Sequence, residues 1–76
     1  MINVSEILFK LTEDNNVYNK EYDLIESGLL DSFTFIELLS ELEDNGIIIQ
    51  PTRVSIERFK TVSEIEKLIE EVNGKN

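Results

Sequence analysis

Seventy-six residues without a cysteine or a histidine make one small domain, spanning 1–76. With no thiol there is no disulfide, thiolate zinc site or cysteine nucleophile, and with no imidazole the usual general base and any Ser-His triad are missing. A net charge of −9 argues against nucleic acid and anionic membranes as partners.

A domain of this size holds a net stability of about 3–5 kcal/mol, with no room for a deep cleft beside its core. An enzyme is not expected; any reactive group must come from elsewhere. The charge is also unevenly spread. Residues 21–50 hold eight acids and no Lys or Arg, so this stretch alone carries −8. Such a field keeps a small protein soluble and steers a basic protein partner toward it. No run resembles a signal peptide or a spanning segment, so a cytoplasmic place without membrane insertion is expected, and a monomer.

A first helix is predicted from Asn3 to Glu13. Val4, Ile7, Leu8 and Leu11 form an i, i+3, i+4, i+7 stripe, and Asn3 with Glu6 resembles a capping box. Phe9 falls off the stripe, and Glu6 and Lys10 stand in the favourable order for a helical ion pair. Asp14-Asn15-Asn16 is expected to end the helix. Residues 15–31 are then a long loop with one short turn, pinned to the core by Leu24, Ile25 and Leu29, with Gly28 in a turn conformation.

A second helix is predicted from Ser32 to Asn45, stopped by Asn45-Gly46. At 100° per residue Phe35, Leu38, Leu39 and Leu42 share one face. Phe33, Ile36, Glu37, Ser40, Glu41 and Asp44 share the other, two apolar residues ringed by carboxylates. Ile47-Ile48-Ile49 has no strand to pair with and is read as an apolar connector plugging one end of the core. Pro51 begins a turn, or a short helix over 52–60 with Ile56 and Phe59 facing inward. A last helix follows, with Thr61 and Glu64 as a second capping box, a stripe of Ile65, Leu68, Ile69 and Val72, and Gly74 past its end. The expected fold is all-α, a small four-helix bundle of three main helices and one short one.

Metal chemistry fares poorly. A calcium loop from Asp14 has Asn19 where glycine belongs and Ile25 at its twelfth position; one from Glu41 ends on Thr52 in place of a bidentate glutamate. Paired carboxylates on a solvated helix face lack the pocket that acid–base work needs. Asp31-Ser32 is the informative pair. Either residue is a good N-cap, and either reading is purely structural. Alternatively, the Ser32 hydroxyl is a covalent attachment point, where a phosphate would meet the positive end of a helix dipole. Phosphorylation by a kinase is one version of this.

Asp31-Ser32-Phe33, preceded by Gly28-Leu29-Leu30 and followed by Glu37-Leu38-Leu39, resembles the attachment signature of acyl and peptidyl carrier proteins. The resemblance runs through Leu42-Glu43, the Ile47 to Pro51 segment and Thr61-Val62, covering about residues 20–72, with the first helix similar by pattern only. Gly-Leu-Leu-Asp-Ser-Phe is most similar to stand-alone D-alanyl carriers and related aminoacyl carriers, whereas fatty-acid carriers more commonly have Leu where Phe33 stands.

The resemblance implies a bundle of acyl-carrier type bearing 4'-phosphopantetheine on Ser32. A phosphopantetheinyl transferase would install the arm from coenzyme A, with Asp31 helping to hold magnesium during the transfer. An AMP-forming acyl or aminoacyl ligase would load the thiol as a thioester, for delivery to a downstream acyltransferase or synthase. Phe33 and Ile36 would supply an apolar contact for these partners, while Ser40 lies on the same face and Glu37, Glu41 and Asp44 attract basic surfaces. Two further readings stand beside it. One is a carrier for fatty acid or polyketide synthesis; the other is an acidic interaction module in which Ser32 is only a cap.

Overall fold

In the computed structural model, which describes residues 2–73, three α-helices carry the fold: α1 (Val4–Thr12), α2 (Ser32–Asp44) and α3 (Val62–Asn73). Two single 3-10 turns, Asn15–Tyr18 and Ile56–Phe59, lie in the connections, and the described residues contain no strand. The chain is thus all-helical, and the short helix expected over 52–60 is one 3-10 turn. A stretch with only Ile56 and Phe59 at helical spacing has too few apolar positions on one face to draw a longer helix onto the core. Phe59 is buried, whereas Ile56 at the head of the turn is exposed, and half-buried Val54 packs against the core instead.

α1 packs against both α2 and α3. Its Asn3 cap accepts from the Glu6 N–H at 3.2 Å, but the reciprocal half of a capping box is absent, since the Glu6 carboxylate accepts from the Tyr18 hydroxyl. Lys10 likewise turns away from Glu6 and pairs with Glu41 of α2 at 3.0 Å. A long side chain on an exposed helix face reaches a neighbouring element as readily as its own next turn, and the i, i+4 pair it gives up is weak. The helix ends one residue before the expected stop, with Glu13 in the left-handed conformation at φ 58° and its N–H on the Phe9 carbonyl. Asp14 caps the following 3-10 turn. Phe9 flanks the core and meets Tyr18 at a tilt of 39°, ring centroids 5.6 Å apart.

The long connection between α1 and α2 is anchored in the core by Val17, Leu24 and Leu30; Ile25 and Leu29 are half-buried. Asp23 organises it by accepting from the N–H groups of Ile25 and Glu26, and Gly28 turns the chain at φ 82°. Several ties strap it to the start of α3, among them the Lys20–Glu66 ion pair at 3.1 Å. The Leu24 N–H donates to the Lys60 carbonyl (2.7 Å), the Ser63 N–H to the Lys20 carbonyl (3.1 Å) and the Ser63 hydroxyl to Glu21 (2.7 Å), while Lys60 faces Asp23 at 3.7 Å. Each backbone group used here is one that a wandering loop would leave to water.

The core joins Val4 and Leu8 of α1, Phe35, Leu38, Leu39 and Leu42 of α2, and Val62, Ile65, Leu68 and Ile69 of α3 around Phe59. Phe35 meets Phe59 edge to face at 4.9 Å, the arrangement that the ring quadrupoles favour. Val72, one helical turn beyond the core stripe, is exposed; Gly74 lies outside the described residues. After α2, Gly46 takes φ 84° and the chain leaves the helix; Ile47 and Ile49 are buried, whereas Ile48, expected to plug the core with them, is exposed. No helix among the described residues is long and apolar enough to cross a membrane.

Candidate functional site

The head of α2 separates the two residues that the sequence left interchangeable. Asp31 is the N-cap: its backbone is extended, and its carboxylate accepts from the Thr34 N–H at 2.9 Å. Ser32 is therefore the first helical residue. Its hydroxyl is exposed and makes no hydrogen bond among the described residues. The Asp31 carbonyl receives the Phe35 N–H at 2.8 Å, which closes the first turn and fixes where Ser32 sits. The Thr34 N–H holds the Asp31 carboxyl below the usual carboxylate range, with the Thr34 side chain adding to the effect. Asp31 is accordingly ionised at neutral pH, beside a free hydroxyl at the positive end of a helix.

Along the outer face of α2 the structure brings together most of the expected residues. Phe33 is 71% exposed and Ile36 56%, more than a helix ordinarily leaves of such side chains in water. Ser40 and Asp44 are exposed and Glu37 half-exposed on the same side. Glu41 is drawn to the flank by Lys10 of α1, so the open acidic rim is Glu37, Glu43 and Asp44. The helical wheel carries this signal: at 100° per residue Glu41 lies only about 60° from buried Leu38.

Beside this face runs a shallow groove of about 340 Å³, walled by Ile36, Ser40 and Glu43 of α2 and by Ile48 and Pro51 across from them, with Leu39 and Ile49 at its base. Glu43, Ile48 and Pro51 do not stand out as site residues in the sequence. Ile36 and Glu43 do fall within about 20° of each other on the wheel, but the approach of the 48–51 segment is a tertiary fact. The arrangement presents an unengaged hydroxyl, two exposed apolar side chains next to it and a row of carboxylates leading away. It offers an acceptor oxygen and a surface to dock on. The chain matches no protein-family model and no curated protein.

Proposed function

We propose that the chain is a non-catalytic carrier whose Ser32 hydroxyl bears a 4'-phosphopantetheine arm, in a bundle of acyl-carrier type. One observation above all supports it: Asp31 does the capping, so Ser32 is not needed as the cap of α2 and yet is held at its start, exposed and with no hydrogen bond to its hydroxyl among the described residues. A serine kept merely as a cap would have its oxygen on a first-turn N–H. The residues fit the group. The hydroxyl is accessible, and the phosphate it would carry lies at the helix end that favours an anion.

In attachment, the Ser32 oxygen would pass its proton to a base of the transferase and bond to the phosphorus that carries the pantetheine, while the phosphoanhydride bond of coenzyme A breaks and adenosine 3',5'-bisphosphate leaves. Asp31, charged at neutral pH, directly precedes Ser32 in the chain, and its carboxylate would help to hold the magnesium ion in a transferase's site. The bound arm supplies the thiol that the sequence lacks, on which an AMP-forming ligase can place an acyl or aminoacyl group as a thioester. Phe33 and Ile36 give transferase, ligase and downstream acceptor a common apolar contact, and Glu37 and Asp44 orient their basic surfaces. An aminoacyl cargo such as D-alanine is favoured over a long acyl chain, because Phe35 and Phe59 fill the interior against each other. Solvent protection of a long acyl chain inside the bundle would refute that preference.

The test is intact mass after incubation with coenzyme A, magnesium and a broad-specificity phosphopantetheinyl transferase. A gain of one phosphopantetheine on the parent and none on Ser32→Ala is expected. No gain on a folded parent overturns the reading and leaves the α2 face as the docking surface of an acidic interaction module.

A further inference from the structure

Six cations fall among the described residues, and five of them are held in ion pairs. Arg53 is the exception. In a chain where acids outnumber bases by 16 to 7, a cation left without a carboxylate is the less expected state. Its position is well defined. The Arg53 N–H donates to the Gln50 carbonyl at 2.9 Å, closing a turn that Pro51 stiffens.

This turn sets Arg53 on the border of two apolar grooves. One, of about 280 Å³, runs along Ile48, Ile49 and Val72; the other, of about 420 Å³, runs along Leu68 and Val72, and Val54 lines both. Arg58 and Glu71 stand in the wall of the second groove and neutralise each other at 2.8 Å, so the charge left over is that of Arg53. Ile48 (56% exposed) and Val72 (36%) are, with Ile56, residues that the hydrophobic pattern assigns to the core and the fold leaves in water.

We propose that Arg53, Ile48, Val54 and Val72 form a second interaction surface, which takes an apolar segment of a partner protein bearing a carboxylate. The charge at the site selects an anion. The field of the whole molecule selects against a polyanion, since a duplex or an anionic bilayer would bring many charges against a net −9 to satisfy one guanidinium. Two apolar grooves flanking that guanidinium match aliphatic side chains on either side of a single carboxylate, as an amphipathic helix presents them. Arg suits the task, because its planar fork takes a carboxylate in two hydrogen bonds. Ile48 also borders the α2 groove, so the two surfaces adjoin with opposite charge preference. The proposal does not rest on the function assigned to Ser32; a chain that carries no arm presents the same surface.

Two synthetic amphipathic peptides test it, alike except that one has glutamate and the other lysine between two leucines on the apolar face. Each is titrated into the isotope-labelled full chain and followed by amide NMR. The glutamate peptide should shift residues 48–54 and 68–72, and the lysine peptide should bind at least about tenfold more weakly, the worth of a charge-assisted contact. Arg53→Gln should erase the difference between the peptides, and Ile48→Ser should weaken the glutamate peptide, both with unchanged shifts elsewhere in the bundle. Equal binding of the two peptides overturns the proposal. So does a preference that survives Arg53→Gln, a footprint confined to the outer face of α2, or no shift at millimolar peptide.

Discussion

At the start of α2 the carboxylate of Asp31 looks inward along the helix and the hydroxyl of Ser32 looks out, although both residue types make good caps. Asp31 binds the Thr34 N–H best when ionised, and this lowers its carboxyl below the ordinary range in the folded chain. A depressed folded value means that the cap stabilises fully above the unfolded carboxylate range and is lost as pH falls through the folded value. Asp31→Asn keeps an acceptor oxygen but does not titrate. The stability gap between parent and Asp31→Asn, measured by urea unfolding, is therefore expected to shrink as pH drops from 7 into the acid range; a gap that widens would contradict the assignment of the cap. The sequence marked the pair correctly and could not divide it, because residue type is equally permissive for both. What divides them is backbone direction: Asp31 is extended and Ser32 helical. Glu13 is a harder case. Nothing about a glutamate announces the left-handed conformation it takes at the end of α1.

Among elements, the join of α1 to the first 3-10 turn depends on a serine that hydrophobic periodicity ignores. Ser5 is buried beside Val4 and donates its hydroxyl to the Val17 carbonyl at 2.9 Å. Ser5→Ala leaves that carbonyl without its donor, at a cost of about 1–2 kcal/mol, a large share of a small domain's stability. Chemical denaturation should show the loss, and hydrogen exchange should speed first around residues 15–18. The three α-helices were legible because each repeats its apolar residues at helical spacing over several turns. Two neighbouring segments were not. Three consecutive isoleucines carry no polar contrast, so nothing in 47–49 announces that the middle one faces out. Over 52–60 only Ile56 and Phe59 stand at helical spacing, and a pair fits a single turn as well as a helix.

For the molecule as a whole, charge opposes compaction. The five ion pairs among the described residues are exposed or partly exposed, and such pairs contribute about 0.2–1 kcal/mol each at most. The carboxylates of residues 21–50 repel one another across a body measuring 33 × 25 × 20 Å. At about 10 mM salt that repulsion acts over roughly 30 Å, and at about 0.15 M over only about 8 Å. The thermal midpoint is expected to rise with sodium chloride across that range; a fall would mean that the ion pairs outweigh the excess of acids. The strap between residues 20–24 and 60–63 has a consequence of its own, in susceptibility to cleavage. A protease needs an extended stretch of backbone free to enter its cleft, and the Lys20 and Lys60 carbonyls are both engaged across the strap. Arg53 sits instead in an exposed turn. Trypsin should therefore open the native chain first after Arg53, yielding fragments 1–53 and 54–76 by mass and sparing the long α1–α2 connection. A first cut at Lys20 or Lys60 would mean that the strap opens in solution. The longest segment without an α-helix is thus expected to be among the best protected, and the short turn before α3 the place where the chain is first severed.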